Sequence, residues 1–407
     1  MKIVLHEMGT YTHRQELARA LSSRGHEIAY LYCPSFRTPS RPSMCFTPSD
    51  KVAIVPIELD SEFAKWQLLK RFLQERAYGA RAASVIANLH PDLVISGNTP
   101  IEIQAAIQKM CRHSGTPFLF WFEDVYSIGV KSVLSKMPFI GDLVAARYTM
   151  LDRKVARQSD GIVAIADDFR DLAVDWGVDP RRITVIENWG PMPAAPPPPK
   201  DNDWAARHGL LGKQVFLYSG ALGFKHNPQL FLDLATEFRE EENVRIVVIS
   251  EGYGAEWLSP RNREFPQLVL LPFQSAEDFR KALASADVLV AILEPTAAKY
   301  SVPSKVLAYM TAGRPILAAI PTDNLAARTI RAASAGLTVD PENPSELRRL
   351  ARSLIEDGDR RRLLGAAGLA YACANFEIND IAARFEEVFR RFARRSSNSV
   401  APALNGP

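Results

Sequence analysis

Short apolar runs alternate with amphipathic stretches along most of the chain. The first run is KIVL (2–5). A polar loop follows, and from about His13 to Ser23 the apolar Leu17, Ala20 and Leu21 share one helical face. Gly25 is placed to close that helix, and IAYLY (28–32) reads as the next strand. Strand, helix, strand in this order predicts a βαβ unit and a parallel sheet. DLVIS (92–96) and PFLFWF (117–122) continue it as buried strands, with the helix IEIQAAIQKM between them. GIVAIA (161–166) and ITVI (183–186) complete the first half.

Residues 190–202, GPMPAAPPPPKDN, break the pattern. Proline at this density fits neither a sheet nor a helix interior and reads as a semi-rigid linker. The alternation then restarts with QVFLYSG (214–220), a helix from near Pro228, VRIVVIS (244–250), LVLLPF (268–273), ADVLVAIL (286–293) and RPILAAI (314–320). The expected fold class is α/β, with two doubly wound domains in tandem. The first spans 1–190, the linker 191–202 and the second 203–377. An amphipathic helix at 378–395 is expected to pack back towards the first domain, and the tail 396–407 to be disordered.

Composition narrows the function classes. At 47% hydrophobic and 23% charged residues the chain can bury sizeable cores. The net charge is only +3, with no basic block of the kind that binds nucleic acid. The densest basic run, Arg384, Arg390, Arg391, Arg394 and Arg395, reads as a solvated helix face. The four cysteines show no CxxC spacing, so neither structural zinc nor a disulfide framework is expected. The N-terminus lacks signal-peptide features, and no apolar run reaches the ~18 residues of a spanning helix. A cytoplasmic protein is expected, with any membrane contact peripheral. KWQLLKRFLQERAYGAR (65–81) and KSVLSKMPFIGDLVAAR (131–147) mix basic and bulky apolar residues. They either bury their apolar faces or dock on the inner face of a membrane.

In parallel sheets ligands bind where strands end and helices begin, so the loops after strands hold the candidate chemistry. YSGALGFKHNP (218–228) offers Gly220 and Gly223 for close backbone approach, Lys225 as a cation, and Asn227-Pro228 as a helix start. SVPSKVLAYMTAGRP (301–315) places Ser301, Pro303, Ser304 and Lys305 in one turn. A lysine there opposes the helix dipole unless an anion is bound. The first loop, HEMGTYTHR (6–14), has too little glycine for a dinucleotide fingerprint, and no Walker loop occurs. Dehydrogenases and P-loop NTPases are therefore disfavoured. WFEDVYS (121–127) ends a buried strand with Glu123 and Asp124. They orient a sugar or its nucleophile, or they cap the next helix; both readings stay open. His13 is a further candidate, or a structural histidine.

At these residues the chain resembles the retaining GT-B glycosyltransferases of family 4. The likeness runs from KIVLHEMGTYTHRQELARALSSRGHEI through DGIVAIADDFRDLAVDWGVDPRRITVIENW, YSGALGFKHN, VISEGYGAEW and LPFQSAEDFRKALASADVLVAIL to SVPSKVLAYMTAGRPILA, with AGLTVDPENPSEL as the last donor-side loop. It implies two Rossmann-like domains facing across a cleft, the second holding a nucleotide sugar and the first the acceptor. Gly220 and Lys225 would lie near the diphosphate, Glu251 and Gly252 beside the nucleotide, and Phe273 near the base. Ser301, Val302, Pro303, Ser304 and Lys305 would serve the phosphates, and Gly9 would face the donor. The chain departs from the family where two glutamates usually flank this helix start: it has Tyr300 and Ala308. Its Pro-Ser-Lys turn resembles a subgroup linked to bacterial surface polysaccharides, with Glu294 as a substitute sugar contact.

The activity this implies is transfer of a sugar, with retention, from a nucleoside diphosphate to a glycan, lipid-linked or small-molecule acceptor. Lysines and helix N-termini would neutralise the leaving diphosphate, and no DxD pair anchors a metal, so neither cofactor nor metal is expected. Glu123, Asp124 and His13 are the catalytic candidates. A sugar-nucleotide epimerase and a non-catalytic sugar-nucleotide-binding protein are the alternatives.

Overall fold

The computed structural model describes residues 1–36, 46–47, 50–64, 67–134, 140–192, 197–223, 226–295 and 304–398. It divides into two units, Met1–Glu187 with Ile378–Pro407, and Asn188–Glu377.

The first unit alternates β1 (Lys2–His6), α1 (Thr12–Ser23), β2 (Glu27–Tyr32), β3 (Val52–Pro56), α2 (Leu68–Leu89), β4 (Leu93–Gly97) and α3 (Ile101–Ser114). It continues with β5 (Phe118–Phe122), α4 (Tyr126–Val133), α5 (Ile140–Gln158), β6 (Gly161–Ala164), α6 (Asp167–Asp175) and β7 (Ile183–Val185). Its seven strands are all parallel, in the order β3-β2-β1-β4-β5-β6-β7. The order reverses between β2-β1 and β4, so the topological switch lies where β1 meets β4. Both central strands are buried on both faces, which explains their uninterrupted apolar sequence.

The second unit holds α7 (Asp203–Arg207), β8 (Gln214–Ser219), α8 (Gln229–Glu237), β9 (Val244–Ile249), α9 (Tyr253–Leu258), β10 (Leu268–Leu271) and α10 (Ala276–Ser285). After these come β11 (Val288–Ile292), α11 (Lys305–Thr311), β12 (Ile316–Ala319), α12 (Leu325–Ala332), β13 (Gly336–Val339), α13 (Pro344–Glu356) and α14 (Gly358–Asn375). Six parallel strands run β10-β9-β8-β11-β12-β13, with the switch between β8 and β11. Side-chain caps start several of these helices: Ser275 accepts from Asp278 N at 3.1 Å, and Asn343 from Glu346 N at 3.1 Å.

The last helix, α15 (Ile378–Asn398), belongs to the first unit and packs on α1. It runs two residues beyond Ser396, where the sequence suggested that the tail begins; the remaining tail lies outside the described residues. Two of its basic residues are held by β7 rather than left to solvent. Arg384 donates to Val185 O at 2.8 Å and Arg391 to Thr184 Oγ1 at 3.0 Å, tying the helix to β7. The segment read as the last donor-side loop contains a strand instead, β13, because GLTV pairs with ILAA of β12. The edge strand β3 was missed: Ala53 and Ile54 are exposed, so its sequence lacks the buried-strand signature.

Candidate functional site

In the second unit the loop after β8 meets the start of α11 near the switch point. Gly220 ends β8 with φ +142 and donates its N–H to Ile249 O at 3.0 Å. A Cβ there would stand 2.8 Å from Lys305 Nζ, so only glycine leaves the lysine its place. Lys305 opens α11, and its Nζ lies 3.7 Å from the centroid of the Tyr218 ring. Tyr218 is fully buried, and Tyr309 from α11 accepts a hydrogen bond from Ser219 N at 2.9 Å, fixing the helix to the strand end. The ammonium nitrogen is buried and has no hydrogen-bond partner among the described residues. Burial alone lowers its pKa to about 7. The aromatic face offsets part of that cost; an anion would offset the rest.

The neighbouring loops are locked to this one. Leu222 N donates to Ser250 Oγ at 3.1 Å and Gly254 N to Leu222 O at 2.8 Å. Glu251 and Phe273 come together, Phe273 N donating to Glu251 Oε1 at 3.4 Å, and Gly252 opens α9 with φ +95. Asn227 Oδ1 accepts from Gln229 N at 3.0 Å, the capping role its sequence predicts, although the helix proper begins at Gln229. Glu294 is half-buried just past β11. Ser304 precedes α11 without a side-chain cap. Lys225, Ser301, Val302 and Pro303 lie outside the described residues.

In the first unit the corresponding point is built on Arg14, which is fully buried. Its Nε lies 3.5 Å from Glu7 Oε2, its Nη2 is ion-paired to Glu123, and its guanidinium stacks 4.1 Å from the Trp121 ring centroid. Tyr30 Oη and Tyr11 N also donate to Glu7. A Cβ on Gly97 would stand 2.7 Å from both Arg14 Nη2 and Trp121 Cβ. The guanidinium thus binds the ends of β1 and β5 together over β4. Burial pushes Glu7 up to about 8 against the pull of Arg14. His13, 4.0 Å from Glu123 Oε1, is lowered to about 3 by burial and then by the charge of Arg14, so it is neutral at physiological pH. Glu123 turns its carboxylate to Arg14, whereas Asp124 is exposed. In the first turn of α4, Ser127 N donates to Asp152 Oδ2 at 2.9 Å. Gly9 is buried in the loop after β1.

A cavity of about 160 Å³ opens beside these carboxylates, lined by Asn98, Gln104, Glu123, Asp124 and Asp152 among others. Among the described residues no helix is long and apolar enough to cross a membrane.

Sequence reasoning missed Glu7, Gln104 and Tyr218, and passed over Arg14. For Arg14 a signal existed: it shares the i, i+3, i+4, i+7 face of α1 with Leu17, Ala18 and Leu21. A charge on a core-facing stripe calls for buried partners.

Two family models match in tandem. Glycosyltransferase Family 4 covers residues 9–189, and Glycosyl transferases group 1 covers 213–357. The chain belongs to the GT-B glycosyltransferases. A probable glycosyltransferase of Pseudomonas aeruginosa, WbjE, is 26% identical over 65% of this chain and 66% of its own length, a little under two thirds. Among solved structures, the sucrose-phosphate synthase of Thermosynechococcus elongatus aligns over 97% of this chain and 100% of its own, at TM-score 0.75 and 14% identity. Anabaena HepE in complex with UDP and glucose aligns over 96% and 99%, at TM-score 0.68 and 13% identity. These likenesses establish the GT-B fold.

Proposed function

We propose that the protein transfers a sugar, with retention of anomeric configuration, from a nucleoside-diphosphate sugar bound by the second unit to an acceptor hydroxyl served by the first. The observation that carries this is the buried ammonium of Lys305 beside Gly220 at the β8/β11 switch, which has no hydrogen-bond partner among the described residues. As the bond from the anomeric carbon to the diphosphate breaks, negative charge grows on the leaving phosphate oxygens. Lys305 and the backbone N–H groups of the Gly220 loop would neutralise it without a metal. Glu251, Gly252 and Phe273 would flank the nucleoside, and Glu294 the sugar. The UDP seen in HepE supports uridine as the first base to test. With Ala308 in place of the usual glutamate, ribose recognition must come from elsewhere.

On the acceptor side, Asp124 is the exposed carboxylate and the leading candidate to touch the acceptor, while Glu123 and the neutral His13 would position it. The Pro-Ser-Lys turn supports a place in bacterial surface polysaccharide assembly, with a glycan or lipid-linked acceptor. Peripheral docking on the inner face of a membrane is supported by Leu69, Leu73, Leu143 and Met150, which are 57–75% exposed on α2 and α5. Arg147 of α5 lies 5.4 Å from the Phe72 ring centroid of α2, which brings the two helices side by side. Lys70, Arg76, Arg153 and Lys154 are exposed on the same helices.

The test is thermal shift of the full chain with UDP, GDP, dTDP, ADP and CMP, with EDTA present, alongside Lys305→Ala. A ligand at a hundred times its Kd adds about 2.7 kcal/mol to stability. One nucleoside diphosphate should raise Tm in the parent protein and not in the variant. No response to any of them at millimolar concentration would overturn the donor assignment.

A further inference from the structure

The charges around Arg14 do not balance. Glu7 and Arg14 are fully buried and Glu123 nearly so, and two carboxylates meet one guanidinium. Among the described residues no second cation joins them. His13 of α1 lies 4.0 Å from Glu123 Oε1 and is held neutral by burial. His6, the residue before Glu7, turns to Ser96 and to Tyr78 of α2 and is likewise lowered to about 3 by burial. Tyr11 N and Tyr30 Oη donate to Glu7 and bring no charge. Tyr78 lies within electrostatic reach of Glu7, and Asp124 within reach of Arg14, which adds only negative charge. A buried charge without compensation is costly, and the group changes its protonation instead. A guanidinium does not give up its proton, so one carboxyl must keep one.

Their contacts distinguish the two. Arg14 Nη2 touches Glu123, whereas its Nε stands 3.5 Å from Glu7 Oε2, beyond the ~2.7–3.2 Å of an N–H···O bond. Glu123 lines the cavity beside Asp124, whereas Glu7 is sealed within the fold just past β1. The acid that is deeper and less well paired costs more to ionise. We propose that Glu7 is held as a neutral acid in the folded protein at physiological pH, that its proton commits the Arg14 guanidinium to Glu123, and that Glu7 is thereby a positioning residue for the carboxylate at the cavity. When Glu7 ionises, two carboxylates compete for one guanidinium and the hold on Glu123 loosens. The role in transfer rests on the reading of Glu123 as an acceptor-side carboxylate; the protonation itself does not.

The experiment is carboxyl NMR on the full chain, labelled with carbon-13 at glutamate Cδ and titrated from pH 5 to pH 9.5, with Glu7→Gln and Glu123→Gln to assign the two signals. The Glu7 signal should titrate near pH 8, far above the ordinary 4.5 of a glutamate, and the Glu123 signal should shift in the same step. In Glu7→Gln, whose side chain keeps the shape of the neutral acid, the Glu123 signal should stay flat there. Tyr30→Phe keeps Glu7 but removes a donor to it, so the midpoint should rise. Should Glu7→Gln fail to fold, the signal whose midpoint Tyr30→Phe moves identifies Glu7. Stability gives a second readout. A Glu7 pKa raised by folding lends stability that is complete below pH 4.5 and is lost as pH rises through about 8. Glu7→Gln lacks that loss, so between pH 5 and pH 9 the difference in Tm should move in favour of the variant. A Glu7 signal already ionised at pH 6, a Glu123 signal indifferent to the step, or a Tm difference that does not move would each overturn the proposal. None of these readouts uses a nucleotide, so the UDP response stands or falls separately.

Discussion

Arg14 and Lys305 are both buried cations, and their surroundings assign them different work. Arg14 is enclosed by Glu7, Glu123 and the face of Trp121, so its charge is matched within the fold. Removing one partner from such a cluster is strongly destabilising, which marks it as a structural tie. Lys305 has an aromatic face and, among the described residues, no hydrogen-bond partner, so its charge is carried at a cost. The sign of its pH dependence follows. Its folded pKa of about 7 lies below the usual lysine value, so between about 7 and 10.5 the unfolded chain binds more protons than the folded one. Stability from this group therefore rises with pH across that window, and the full cost is present below it. Lys305→Met should raise the stability of the ligand-free protein by roughly 2–4 kcal/mol at pH 6, with the gain shrinking towards pH 10. Urea melts at the two pH values check this; a variant less stable than the parent at pH 6 would show that the ammonium has a partner.

At the scale of elements, α15 completes a domain whose other elements end almost two hundred residues earlier. Ile381, Ala382, Phe385, Val388, Phe389 and Phe392 form its buried stripe, and Phe385 packs on Trp121 with centroids 4.8 Å apart. Trp121 in turn faces Arg14, so the helix backs the same cluster from the other side. Glu386 accepts from Arg24 at 3.0 Å and His26 at 2.8 Å, anchoring the helix to the end of α1. The ring of Phe392 comes so close to β6 that a Cβ on Gly161 would stand 2.5 Å from it. Gly161→Ala should cost about 1–3 kcal/mol by overpacking. Phe392→Leu in the same chain should recover part of that loss, because the added methyl then has room. Additive losses in denaturant melts of the single and double variants would show that the two sites do not touch.

At the scale of the whole molecule, the chain passes from the first unit to the second after Glu187 and returns after Glu377. The second unit carries the candidate anion site, and the first carries the carboxylates, the cavity beside them and the exposed leucines of α2 and α5. Membrane docking should therefore be separable from nucleotide binding. On flotation with phosphatidylglycerol-containing vesicles the parent should rise with the lipid, and a Leu69→Asp/Leu73→Asp/Leu143→Asp variant should stay behind. These side chains are 57–75% exposed, so the substitutions should leave Tm and the UDP response unchanged. A parent protein that does not float would remove the membrane from the proposal.

The sequence alone determined the two α/β halves, the positions of most strands and the loops in which chemistry could sit. Those features follow from local periodicity: a parallel strand buried on both faces, such as PFLFWF or ADVLVAIL, is an apolar run wherever it lies. Gly220 and Lys305 were legible singly, as a glycine after a strand and a lysine in a first helical turn. The tertiary structure alone decided that the two touch, that Arg14 stands between Glu7 and Glu123, and that Tyr218 lies under the Lys305 ammonium. Burial and charge pairing are properties of residues brought together from distant positions, and a side chain's cost or use is fixed by what the fold sets against it. A pattern read along the chain carries no record of that.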